Sequence, residues 1–108
     1  MNYRVLLSHK AEADVDAVLA WHGQHGEVTT AFLWVDGLIT KVKSLETLPE
    51  RCALSEESLD LPFEVRELLY GKGRYRYRIL FHVEEGVVHI LRIRHSSQNL
   101  LTRDDLLP

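Results

Sequence analysis

The sequence lacks most of what would mark a secreted, membrane-spanning or metal-clustered protein. Cys52 is its only cysteine, which excludes an intrachain disulfide and a thiolate metal cluster and leaves a reduced thiol in a connecting loop. No apolar run approaches the roughly 20 residues that span a bilayer. The opening MNYRVLLSHK has no long apolar core of the signal-peptide kind. These absences point to the cytoplasm. There is no internal repeat, and nothing implies a cofactor or a membrane partner. Positive charge is not in excess either: 13 Lys and Arg stand against 16 Asp and Glu, a net charge of −3. A chain whose main task was non-specific nucleic-acid binding would usually be basic overall, so this balance counts against that role.

What is present is an ordinary globular composition, 45% hydrophobic and 27% charged over 108 residues, which predicts one domain with a real core. The domain is 1–108, with its core in 3–96 and a tail over 97–108. The charge is unevenly divided. Residues 46–62 carry five acidic side chains and one basic, whereas 63–95 carry seven basic and four acidic. The strand-forming region is thus locally basic inside an acidic chain.

Asn2 to Leu7 reads as a short strand ended by Ser8, a good helix N-cap. Ala11, Val15, Val18, Leu19 and His22 then line one face of a helix. His22-x-x-His25 near its end has helical spacing but no third ligand, and reads as a helix terminus. A second helix spans about Glu27 to Thr47, with a stripe of Val28, Phe32, Val35, Ile39, Val42 and Leu45 widened by Ala31 and Leu38. Trp34, Lys41 and Lys43 fall off that stripe. Pro49 stops the helix, and an acidic, turn-rich connection leads to Phe63–Leu69, the second strand.

From Gly73, GRYRYRILFHV alternates with the period-2 signature of a two-faced strand. Arg74, Arg76 and Arg78 point one way, and Tyr75, Tyr77, Ile79, Phe81 and Val83 the other. Lys72-Gly73-Arg74 and Glu84-Glu85-Gly86 are the turns on either side. In the last strand Val87, His89, Leu91, Ile93 and His95 share one side, with Val88, Ile90, Arg92 and Arg94 on the other. Which face Arg66 joins is not settled by the pattern. The tail is weakly structured, with one amphipathic turn around Leu100-Leu101 and Leu106-Leu107. The expected architecture is α+β in the order β-α-α-β-β-β. A helical hairpin covers one face of a small, largely antiparallel sheet, and the arginine face stays open as the functional surface.

The order and four stretches of residues resemble the RelE/ParE superfamily, bacterial toxins of type II toxin–antitoxin systems often named plasmid stabilisation proteins. The stretches are KSLETLPERC (43–52) at the end of the second helix, EVRELLYGKG (64–73), YRILF (77–81) and VVHILRIRH (87–95). The resemblance covers about residues 3–96. It implies a toxin held inactive by a cognate antitoxin encoded next to it, in a toxin–antitoxin hetero-oligomer, with Trp21, Trp34, Leu100 and Leu101 as the receiving surface. RelE-like members cleave mRNA on the ribosome; ParE-like members lack nuclease activity and poison DNA gyrase.

Were the chain a nuclease, His95 would be its acid–base group, and Arg78 and Arg66 would complete the catalytic set. Lys72, Arg74, Arg76, Arg92 and Arg94 would bind phosphate or another target. The chain departs from the RelE-like pattern after His95, where Ser96-Ser97-Gln98-Asn99 replaces basic and aromatic residues. The lysine pair before the third strand is reduced to Lys72. These departures favour the ParE-like branch, acting on gyrase or another protein. A ribosome-dependent mRNA endonuclease and an inactive member that only binds antitoxin are the alternatives.

Overall fold

The computed structural model describes residues 2–107. Its elements are β1 (Arg4–Leu7), α1 (His9–Gln24), α2 (Val28–Lys43), β2 (Arg66–Tyr70), β3 (Tyr77–Glu84), β4 (Val87–His95) and a short α3 (Arg103–Leu106). Ser8 starts α1 by accepting from the Ala11 amide at 3.0 Å, while its hydroxyl donates to the Leu91 carbonyl at 2.9 Å. The cap therefore also ties the helix to β4. Beyond α2, which ends at Lys43, the carbonyls of Thr47 and Leu48 accept from the Arg51 guanidinium at 2.7 and 3.1 Å and hold the following turn in place. Among the described residues no helix is long and apolar enough to cross a membrane.

The sheet is mixed, in the order β1-β4-β3-β2, with β1 parallel to β4 and the other two pairings antiparallel. Where β1 stops, Asp14 of α1 takes over its edge role: one carboxylate oxygen accepts from the Ile93 amide at 2.9 Å. The helical hairpin lies over a core of Ala11, Leu38, Val42, Leu45, Ile79, Phe81, Val88, Ile90 and Ile93.

The α2 stripe is rotated from the expected one. Leu38, Val42 and Leu45 are buried and Trp34 packs against them, while Val28, Phe32 and Ile39 are 71, 69 and 51% exposed. The cause is a close approach at Gly37. The Tyr70 hydroxyl enters there and donates to the Trp34 carbonyl at 2.7 Å, and a Cβ on residue 37 would overlap it. That contact turns Trp34 onto the sheet, where its ring meets those of Tyr70 and Tyr77.

The strands also differ from the simple alternation. Gly73–Tyr75 form a 3-10 turn, so β3 begins only at Tyr77 and Arg74, Arg76 and Arg78 do not make one row. Leu80 pairs with Arg92 but Phe81 with Ile90, which leaves Leu91 as an extra residue in β4. This bulge exchanges the faces: Ile93 joins Val88 and Ile90 in the core instead of opposing them.

The second face of the sheet is not open. Leu101 and Leu106 of the tail pack on Val65 and Leu80, with Leu61, Phe63 and Leu91 around them. The tail is ordered for this by a capping box, in which Thr102 and Asp105 exchange side-chain and backbone hydrogen bonds at the start of α3. Beneath it lies Arg78, which the strand pattern placed on an exposed surface and which is 8% exposed. Its guanidinium donates both terminal nitrogens to Glu57, at 2.8 and 2.6 Å, and its Nε to Glu67. Glu57, itself 4% exposed, also accepts from the Leu101 amide at 3.1 Å. One carboxylate thus joins the loop, the central strand and the tail.

Burial pushes the Glu57 carboxyl up, but the Arg78 guanidinium and the Leu101 amide outweigh it and hold the group down at about 2. A depressed carboxyl stabilises the fold above its unfolded value of 4.5, and that contribution fades as pH falls toward 2. Glu57→Gln is expected to cost roughly 3–5 kcal/mol at neutral pH, as for a buried ion pair missing one member. The gap to the parent protein should narrow steadily between about pH 4.5 and 2 in urea titrations. A gap independent of pH would exclude Glu57 as an ionised latch.

Gly37→Ala is expected to destabilise the protein by about 1–3 kcal/mol through overpacking. Tyr70→Phe on its own should cost about 1 kcal/mol, for the hydrogen bond lost. Their combination should recover part of the Gly37→Ala loss, because Phe removes the hydroxyl that overlaps the Cβ, leaving ring carbons 3.2 and 3.3 Å away, and Ala favours helix. Thermal melts of the three variants check this.

Candidate functional site

The residues singled out from the sequence fall into three groups once folded. The first is committed to the structure. Arg78 is buried between Glu57 and Glu67. Arg92 reaches the edge of the sheet and pairs bidentately with Asp14, both bonds 2.8 Å, and donates to the Asp105 carbonyl at 3.2 Å. These carboxylates stabilise the charged forms and raise the pKa of both arginines, Glu57 chiefly for Arg78 and Asp14 for Arg92. Arg94, half-buried across from Arg78, donates to the Asn99 carbonyl at 3.3 Å. Trp34, partly buried, and Leu101, 6% exposed, are packing residues here.

Arg66 is the second case. It pairs with Phe81 in register, so it joins the helix-side face. There it donates to the Cys52 carbonyl at 2.6 Å and lies 3.5 Å from Glu64. It lines an open cavity of ≈ 250 Å³ with Glu50, Glu64 and Glu85. His95 pairs with Tyr77, four positions along β3 from Phe81. At about 3.3 Å per residue that separation is ~13 Å. Arg66 and His95 therefore do not form one catalytic centre.

The third group is exposed and gathers at the end of the sheet where β2 turns into β3. Lys72, Arg74 and Arg76 are all exposed, and among the described residues none enters an ion pair. Tyr75 between the two arginines is 72% exposed. His95 lies beside them, because the Ser96 amide donates to the Arg76 carbonyl at 2.9 Å. Its ring stands edge-on to Tyr77, with centroids 5.2 Å apart. Its Nδ1 accepts from the Ser97 amide at 3.1 Å, with the Ser97 hydroxyl at 2.6 Å.

A backbone amide can only donate, so Nδ1 is the acceptor nitrogen. A neutral imidazole has just one, and Nε2 must then carry the proton. His95 as held here offers a proton to a neighbour but has no free lone pair with which to take one.

Sequence reasoning missed one exposed apolar feature: Val28, Phe32 and Ile39, with Leu33 at 63% exposure, form an outward face on α2. Trp21 on α1, already singled out from the sequence, is 53% exposed and stacks on His25, ring centroids 4.1 Å apart. Gly37 was the available signal: a glycine inside a helical pattern marks a close approach, and the approach decides which face turns inward. The exposure of Tyr75 had no such signal, because the alternation assigned it to the core.

The chain matches a family model described as the ParE toxin of the type II toxin–antitoxin system parDE, over residues 5–100. Eight chains of solved structures match it as well. One belongs to a structure titled as a chromosomal ParDE TA system from P. aeruginosa, to which this chain is similar at 25% identity and a TM-score of 0.68, over 86% of this chain and 95% of that one. A comparison with curated proteins found no match. The strand, helical hairpin and three-stranded continuation, together with a family match spanning nearly the whole length, show that this chain belongs to the ParE toxin family of type II toxin–antitoxin systems.

Proposed function

We propose that this chain is a non-nucleolytic toxin that acts in the cytoplasm on DNA gyrase or another protein and is silenced by an antitoxin encoded beside it. The observation that carries this reading is the state of His95, whose Nδ1 is taken by the Ser97 amide. Attack by an RNA 2′-hydroxyl needs a base for its proton and cations for the phosphate. His95 supplies no free acceptor, and Arg78 and Arg92, which would have faced the phosphate, are neutralised by carboxylates.

The antitoxin reading is supported by the outer face of α2. Val28, Phe32 and Ile39 lie at i, i+4 and i+11, the spacing that receives an amphipathic segment of a partner. Trp21 and Leu100, at 53 and 54% exposure, extend the apolar surface available to it. Large apolar side chains left in water at helical spacing are the usual mark of an interface.

Induction of the chain alone in a bacterial host should depress DNA synthesis, with a damage response, before protein synthesis falls. His95→Ala should retain toxicity. Early collapse of protein synthesis that His95→Ala abolishes would overturn the reading in favour of an mRNA endonuclease. Phe32→Asp, an exposed change expected to shift stability by no more than about 0.5 kcal/mol, should abolish co-purification with the product of the neighbouring open reading frame. Unchanged co-purification would remove this face from the antitoxin interface.

A further inference from the structure

At the β2–β3 tip three exposed cations stand close together in the chain with no ion pair among the described residues. Lys72, Arg74 and Arg76 fall within five residues, and no acidic residue occurs in the sequence from Leu68 to Val83 or from Gly86 to Arg103. The strand segments meeting at this end therefore bring no carboxylate of their own; the nearest from elsewhere is Asp36 of α2, beside Tyr70. The tip is also shaped rather than slack. Gly71 sits at φ +97 where a Cβ would overlap the Tyr75 carbonyl, and Gly73 at φ +56 opens the 3-10 turn. The Tyr75 amide donates to the Lys72 carbonyl at 3.0 Å, and the Arg76 carbonyl accepts from Ser96 at 2.9 Å. This backbone holds Tyr75 outward between two guanidiniums, 72% exposed.

We infer that the tip Lys72-Gly73-Arg74-Tyr75-Arg76 is a contact surface for single-stranded nucleic acid, in which the three cations grip backbone phosphates and Tyr75 stacks on an unpaired base. Cations alone suit any polyanion. An aromatic ring held in water between them suits a base, because each base offers a flat apolar face while its backbone offers the charge. A ring on a projecting tip reaches such a face only where the strand is unpaired. The acidic character of the rest of the chain confines the contact to a few phosphates, so the binding is weak and local. This inference goes beyond the toxin reading, which requires only protein partners, and the two can fail separately.

The test is fluorescence anisotropy of the purified full chain with a labelled DNA strand of about 20 nucleotides, longer than the roughly 4–16 that a small domain covers. Three released counterions predict a slope of log K against log salt near about −2, at roughly 0.7 per phosphate on a single strand. Arg74→Gln with Arg76→Gln should reduce that slope by about 1.4 and weaken low-salt binding by at least about tenfold. Tyr75→Ala should weaken it about fivefold or more with the slope kept, the loss expected for one stacked base. Tyr75→Phe should bind as the parent does.

Absence of salt-dependent binding would overturn the inference, as would wild-type affinity in the double arginine variant. Polyglutamate bound as tightly as DNA, with no effect of Tyr75→Ala, would overturn it in favour of an acidic protein surface. Thermal melts matching the parent establish that each variant is folded.

Discussion

The Arg78–Glu57 pair is the constraint on which the second layer of this protein rests. A guanidinium on the central strand, 8% exposed, has to be matched by carboxylate. Buried Glu57 and half-buried Glu67 provide it from two separate segments, and Glu57 uses its remaining capacity on the Leu101 amide. The charge on β3 therefore dictates where the 57–63 loop passes and where the tail returns. Leu101 and Leu106 then cover Val65 and Leu80 and keep water from the pair. Polar and apolar contacts support each other here: the ion pair positions the cover, and the cover makes the pair strong.

The same economy governs the remaining sheet arginines. Arg92 is drawn to the edge by Asp14, which also completes the hydrogen bonding of β4 past the end of β1. Arg66 is folded against the loop carbonyls of Glu50 and Cys52. A region that is basic in the sequence is thus partly neutralised in space: Arg66, Arg78 and Arg92 have carboxylate partners, while Lys72, Arg74, Arg76 and Arg94 have none among the described residues. This bears directly on activity. A surface meant to stabilise a phosphoryl transition state needs unsatisfied donors aimed at the substrate; here the guanidiniums of Arg78 and Arg92 already have carboxylate acceptors.

The helical hairpin divides its apolar residues between two tasks. Leu38, Val42 and Leu45 fill the core, while Val28, Phe32 and Ile39 face water. The phase of α2 that produces this division is set by Tyr70 entering at Gly37 and holding the Trp34 carbonyl. An interior contact thereby determines which residues a partner would meet outside. The function proposed above assigns that outer face to the antitoxin.

Much of the fold was legible in the chain itself. Ser8 announced α1 and the glycines at 73 and 86 marked the turns, whereas α2, expected to run to about Thr47 before Pro49, ends at Lys43 and passes into a 3-10 turn over Ser44–Glu46. The alternation of β3 from Tyr77 onward identified Ile79 and Phe81 as core. These features are local: capping, fixed φ and period-2 burial act over a few residues, so the sequence displays them directly. The distribution of the arginines was not legible. Alternation says that Arg78 opposes Ile79, but not that the far face is covered, because the cover comes from the loop before β2 and from the tail, outside the strand itself. The Leu91 bulge and the phase of α2 were hidden for the same reason, since each is decided by a contact between distant segments. The sequence alone determined the order of elements, the turns and the family. Only the tertiary structure decided which charges are spent inside and which remain at the tip, because neutralisation depends on which carboxylate the fold brings within hydrogen-bond reach.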